Sequence, residues 1–169
     1  MKKHLLVSGM LLALSLAAGE GYTRAANAPK PVGARKFDAL ADAALSAMKN
    51  RAAELKVTGV AVVSYAAGDS IQGWSSKMAV VGRMKDAPAA TEKGNNLLAI
   101  AYAKSAEMAD TLQNSGVATR PPMTGEFGWQ GGVIARTRTG YVIVAFSGGK
   151  SEDDVQVSKA GLELLKGAL

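Results

Sequence analysis

The chain has 169 residues, a formal net charge of +6, 48% hydrophobic residues, no cysteine and a single histidine, His4. That length suits one domain behind a short leader, and the lack of thiols excludes disulfides and thiolate metal sites, so apolar packing must hold the fold. Its basic residues, Arg35, Lys56, Lys85 and Arg138 among them, are scattered without a run of like charge, which argues against a nucleic-acid partner.

Lys2 and Lys3 precede the apolar run from Leu5 to Ala18, which falls short of the ~20 residues of a membrane span and suits a secretory signal. Residues 1–28 therefore read as a signal peptide, cleaved between Gly19 and Ala28, and the mature protein as periplasmic or secreted with no stable membrane span. Residues 29–35, with Pro29, Pro31 and Gly33, read as a flexible lead, and residues 36–169 as the domain.

Phe37, Leu40, Ala41, Ala44, Leu45, Met48, Ala52 and Leu55 recur at three- and four-residue steps and predict a helix of about five turns. Ser46 and Lys49 match a Ser-x-x-Lys acylase motif, but its companion elements are absent and both residues flank the apolar face, so they read as a solvated helix edge. Gly59 opens a strand from Val60 to Tyr65, and Ala67-Gly68-Asp69-Ser70 turns it into a second extended stretch from Ile71 to Val81. Trp74 on that stretch reads as a core or interface residue.

After Asp86-Ala87-Pro88 and Thr91, a second helix is predicted to reach about Asn114, with Leu97, Ile100, Ala101, Met108 and Leu112 facing the core and Gly116 ending it. Pro121-Pro122 then interrupts regular structure, and two strands around Arg138-Thr139-Gly140 predict a second hairpin. Ser151 is placed to cap the last helix, with Glu152, Asp153 and Asp154 as negative charge at the positive end of its dipole. Those carboxylates, and the spacing, exclude reading Gly149-Lys150-Ser151 as a phosphate loop. The order αββαββα predicts an α+β fold, an antiparallel sheet with helices packed against it.

With His4 in the leader, the rest of the chain has neither imidazole nor thiol, which removes Ser-His and Cys-His nucleophile pairs, histidine general acids and His/Cys zinc sites. No catalytic constellation is visible. Gly125, Gly128, Gly131 and Gly132, interleaved with Phe127 and Trp129, form the most site-like segment, because glycine permits close approach and an aromatic supplies a flat wall; bulges and tight strand contacts are the structural alternative. Arg83 and Met84 lie where an extended segment meets a loop, so the guanidinium is a candidate partner for a ligand carboxylate and the thioether for an apolar cofactor.

The succession Gly131-Gly132, Val142 to Ser147-Gly148, Ser151-Glu152-Asp153-Asp154 and Ala160-Gly161-Leu162, together with Arg83-Met84-Lys85-Asp86-Ala87-Pro88, resembles the GlcG/HbpS-like family, which includes the C-terminal domain of PduO. Many members carry Ala-x-x-Lys-Ala on the middle helix. Ala101-Tyr102-Ala103-Lys104 matches that pattern after an insertion, with Ser105 in place of the last alanine. The resemblance implies a profilin-like form of the fold, oligomerisation and binding of haem or another tetrapyrrole as a carrier, scavenger or sensor component. The candidate cofactor-binding residues are Arg83, Met84, Gly128, Trp129, Gly131 and Gly132, with Met84 or a tyrosine facing the iron. The rival reading is a non-catalytic assembly module whose glycine-rich edge forms homo-oligomer contacts.

Overall fold

The computed structural model describes residues 30–117 and 120–169. The expected signal peptide and its cleavage site lie outside these residues. A helix α1 (Val32–Glu54) leads into strands β1 (Gly59–Ala67) and β2 (Ser75–Val81), a short ribbon of β3 (Lys85–Asp86) and β4 (Asn95–Asn96), and a helix α2 (Leu97–Thr111). Strands β5 (Gly132–Arg136) and β6 (Gly140–Ser147) follow, and helix α3 (Ser151–Lys166) closes the chain.

The four main strands form one antiparallel sheet in the order β2-β1-β6-β5. Both expected hairpins are present, and β1 joins them by pairing with β6 from Val60↔Ser147 to Ala67↔Gly140. Helices cover both faces. On one, Phe37, Ala41, Ala44 and Met48 of α1 and Val157, Leu162 and Leu165 of α3 pack on Ala61, Val63, Val144 and Phe146. On the other, Leu97, Ile100 and Ala101 of α2 meet Val60 and Val62, while Met108 meets Ile143 and Ala145. The α+β class is thus as expected. Two-sided cover explains why β1 and β6 read as nearly continuous apolar runs rather than alternating ones.

Several boundaries differ from expectation, among them the start of β2, which lies at Ser75 rather than Ile71. Helix α1 begins at Val32, so residues 32–35 of the anticipated lead are helical, with Pro31 immediately before the first turn. Gly33 and Ala34 are buried there, because a small residue lets the helix start pass over Tyr65; a Cβ on Gly33 would collide with the Tyr65 hydroxyl. Helix α2 starts at Leu97 rather than near Thr91. The ribbon β3–β4 takes up the preceding residues, and Asn96 caps the helix by accepting from the Ala99 amide at 3.1 Å. The helix ends at Leu112, which adopts the left-handed conformation (φ 54°) itself and lies exposed instead of facing the core. Gly116 (φ 73°) serves the next turn, which runs against the backbone of Gln130.

That turn also covers one edge of the sheet. Ser115 Oγ accepts from the Gly132 amide at 2.8 Å and Asn114 Oδ1 from the Ile134 amide at 3.0 Å, so side chains occupy donors that an edge strand would otherwise present. Strand β2 forms the opposite edge.

Candidate functional site

Helix α2 carries Lys104 one turn beyond Ile100 and Ala101, on the face that packs against the sheet, and the lysine is 3% exposed. Its ammonium donates to the Phe146 carbonyl at 2.8 Å and to Asp154 Oδ2 at 2.9 Å. Asp154 lies in the first turn of α3 and is equally buried, and its other oxygen accepts from the Gly149 amide at 2.8 Å. Removing both charges from water is costly, and only the pairing and the added hydrogen bonds offset it. Burial pushes the Lys104 ammonium below the usual lysine range and the Asp154 carboxyl above the usual carboxylate range, each against the pull of its partner.

This arrangement replaces the expected cap. Ser151 makes no capping hydrogen bond; Lys150 holds the cap position, and its carbonyl accepts from the Asp154 amide. Asp154 reaches back to Gly149 in its stead, because the buried ammonium of Lys104 draws its carboxylate inward. Ser151→Ala is therefore expected to change stability by less than about 0.5 kcal/mol. Urea unfolding checks this; a loss near 1 kcal/mol would restore Ser151 as the cap.

Gly131 and Gly132 are buried beside this pair. Gly131 (φ 132°) leaves room for the lysine, since a Cβ there would collide with Lys104 Nζ; one on Gly132 would collide with the Met108 methyl. Gly128 (φ 63°) turns against the Pro122 ring. These three glycines serve turns and close packing. Trp129 is half exposed and tilts against Phe127, with ring centroids 4.9 Å apart. It lines, with Lys104, Asp154, Leu97, Ile100, Asn95 and Ser151, a cavity of about 120 Å³.

Arg83 is heavily engaged. Nε donates to Asp86 Oδ1 at 2.7 Å, Nη1 to the Thr58 carbonyl at 2.8 Å and to the Thr58 hydroxyl, and Nη2 to the Gly148 carbonyl at 2.8 Å. It ties the loop after β2 to one end of the β1–β6 pair, where the start of β1 lies beside the end of β6, while its hydrogen bond and that of Asn95 hold the Asp86 carboxyl below its usual range. Met84 beside it is 43% exposed and lies with Lys85, Pro88 and Lys93 along an open groove of about 1010 Å³. Asp86 and Asn95 border both this groove and the small cavity. The ribbon β3–β4 is thus a shared wall, with Met84 on one side and Trp129 on the other.

The loop before Trp129 has its own clamp. Arg120 donates to both carboxylate oxygens of Glu126 at 2.8 Å and to Asp110 at 2.7 Å, and the Met123 amide donates to Glu126 at 2.8 Å. The Arg120 contact, followed by that amide, lowers the Glu126 carboxyl to about 2. Because the folded value lies below the ordinary 4.5, the stabilisation is complete above pH 4.5 and is lost as pH falls through about 2. In a Trp74→Phe background, the fluorescence of Trp129 is expected to change as the loop opens in that acid window. A signal constant down to pH 2 would show that the clamp does not hold the loop.

Elsewhere, Trp74 lines a groove of about 760 Å³ with Ile71 and Leu112, and Ser46 and Lys49 lie exposed on α1, with Ser46 bonded to the Asp42 carbonyl. Among the described residues no group of three His, Cys, Asp or Glu side chains is placed to hold a metal, and no helix is long and apolar enough to cross a membrane. The buried pair was missed at the sequence level, although one signal was present: Lys104 stands at core spacing between Ala101 and Met108 on the helix face that also carries Leu97 and Ile100. No family model matches this chain, and neither the curated proteins nor the solved structures contain a match to it.

Proposed function

We propose that this protein is an exported domain that binds a small, flat or carboxylate-bearing ligand, with haem or another tetrapyrrole first, as a carrier, scavenger or sensor component. The observation that carries the reading is the Met84 groove: about 1010 Å³ of open, largely apolar surface lined by an exposed thioether and two exposed cations, Lys85 and Lys93. Its size matches ordinary ligand sites, whereas the cavity of about 120 Å³ is too small for a macrocycle.

The residues fit such a group in a specific way. Met84 offers a soft sulfur to iron, and Lys85 and Lys93 offer charge to acidic side chains, while Arg83, bound to Thr58, Asp86 and Gly148, braces the groove. A bound haem would supply a redox-active iron. The GlcG/HbpS-like resemblance supports the same ligand, and helices on both faces of a four-stranded antiparallel sheet are compatible with its profilin-like fold.

Haem titration followed by visible absorption tests the proposal. Saturable binding is expected in the parent, with loss of the iron-ligand spectrum in Met84→Ala and weakening by about 0.2–1 kcal/mol for each of Lys85→Ala and Lys93→Ala. Trp129→Ala, across the ribbon, should leave binding intact. Loss in Trp129→Ala alone would move the site from the groove to the exposed face of Trp129 and overturn the groove as its place. No saturable binding by the parent would favour the homo-oligomeric assembly module, whose contact would then fall on the β2 edge, since Asn114 and Ser115 occupy the edge at β5.

A further inference from the structure

A buried lysine that only stabilised the fold would need no cavity beside it, and a buried ion pair is seldom more stable than an apolar pair of the same volume. Lys104 nevertheless borders the cavity of about 120 Å³, and Gly131 leaves its amine room that any larger residue would remove. Leu97 and Ile100 make part of the cavity apolar, and Asn95 and Ser151 give it polar groups. At about 30 Å³ for each water in the liquid, the space equals about four waters, enough for an organic molecule of about four or five heavy atoms.

We propose that Lys104 captures a small neutral aldehyde or ketone in this cavity as a reversible imine. Neutrality follows from the walls: the charges of Lys104 and Asp154 match each other and that of Asp86 is met by Arg83, so a ligand carboxylate would stand unpaired. Burial disfavours both charged forms of the Lys104–Asp154 pair, which brings the neutral amine and the protonated carboxyl within reach.

The step balances without an oxidant. Nζ of the neutral amine attacks the carbonyl carbon, and the carbonyl oxygen takes a proton relayed through Asp154 to give a carbinolamine. The carbinolamine hydroxyl then leaves as water with the proton of the Asp154 carboxyl, so amine plus carbonyl becomes iminium plus water beside a carboxylate. The iminium keeps one N–H, which suffices for Asp154, while the Phe146 carbonyl gives up its donor and so favours reversal.

The probe is butanal with sodium cyanoborohydride on the intact protein, read by peptide mass mapping. At pH 7, Lys104 is expected to acquire the reduced adduct at least tenfold faster than the exposed Lys85 and Lys93, with saturation in butanal. Between pH 8 and pH 6, labelling of the exposed lysines should fall about tenfold per unit, as an ordinary ammonium predicts. Lys104 should fall less, since the groups around it, Asp154 opposite, Glu107 on its own helix and Asp86 across the cavity, act in a site where burial dominates. A naphthaldehyde, too large for the cavity, should label only exposed lysines. Asp154→Asn should slow the Lys104 reaction at least tenfold, and if that variant does not fold the parent measurements still decide. Lys104 unlabelled, labelled no faster than Lys85, or labelled equally by the naphthaldehyde would overturn the proposal. The Met84 groove is separate from this cavity, so either proposal can fail without the other.

Discussion

Lys104→Met is expected to destabilise the protein by about 3–5 kcal/mol, because it leaves the Asp154 carboxylate buried without its cation. The loss should appear in urea unfolding as a lower midpoint with an unchanged slope. Lys104→Met/Asp154→Asn is expected to recover much of it, since the amide oxygen can still accept from Gly149 while the stranded charge is gone. Two such contacting residues should be strongly non-additive. Equal losses in the single and double variants would show that the lysine contributes packing, chiefly along the Phe146 carbonyl, and that the charge pairing is incidental.

Phe37→Ala is expected to cost about 3–5 kcal/mol, the usual range for emptying a fully buried phenylalanine site. Phe37 stacks on Tyr65 with ring centroids 6.0 Å apart, and the Tyr65 hydroxyl bonds to both the carbonyl and the hydroxyl of Thr139 at 2.8 Å. Thr139 in turn donates to the Leu169 carbonyl at 2.9 Å. One ring thus secures α1 against β1, the β5–β6 turn and the C-terminus. Thermal unfolding should show the full loss in a single transition; a loss below about 1 kcal/mol would mean that α1 collapses into the space.

Both expected effects concern contacts between residues far apart in sequence, and these are where sequence reasoning stops. The spacing of Phe37, Ala41, Ala44 and Met48 specified α1 because a helix brings every third or fourth residue to one face. Thr139-Gly140 specified the second hairpin because turn chemistry acts within a few residues. The ribbon β3–β4 was not legible, since two-residue strands carry no periodicity and form only where Gly94 (φ 73°) folds back on Asp86.

For the candidate site, residue types alone pointed to Arg83, Met84 and Trp129 as surface-reachable chemistry, and Met84 and Trp129 do border cavities. Gly131 and Gly132 were legible as close-approach positions, but what approaches them, Lys104 and Met108, was not. The sequence by itself determined the three helices, the two hairpins and the α+β class, because each follows from interactions local in the chain. Only the tertiary structure decided that Arg83 clamps Thr58 to Gly148 and that Lys104 meets Asp154 fifty residues away. A charge at a core position of a helix says that some partner must exist, but its identity depends on which helices the sheet brings together.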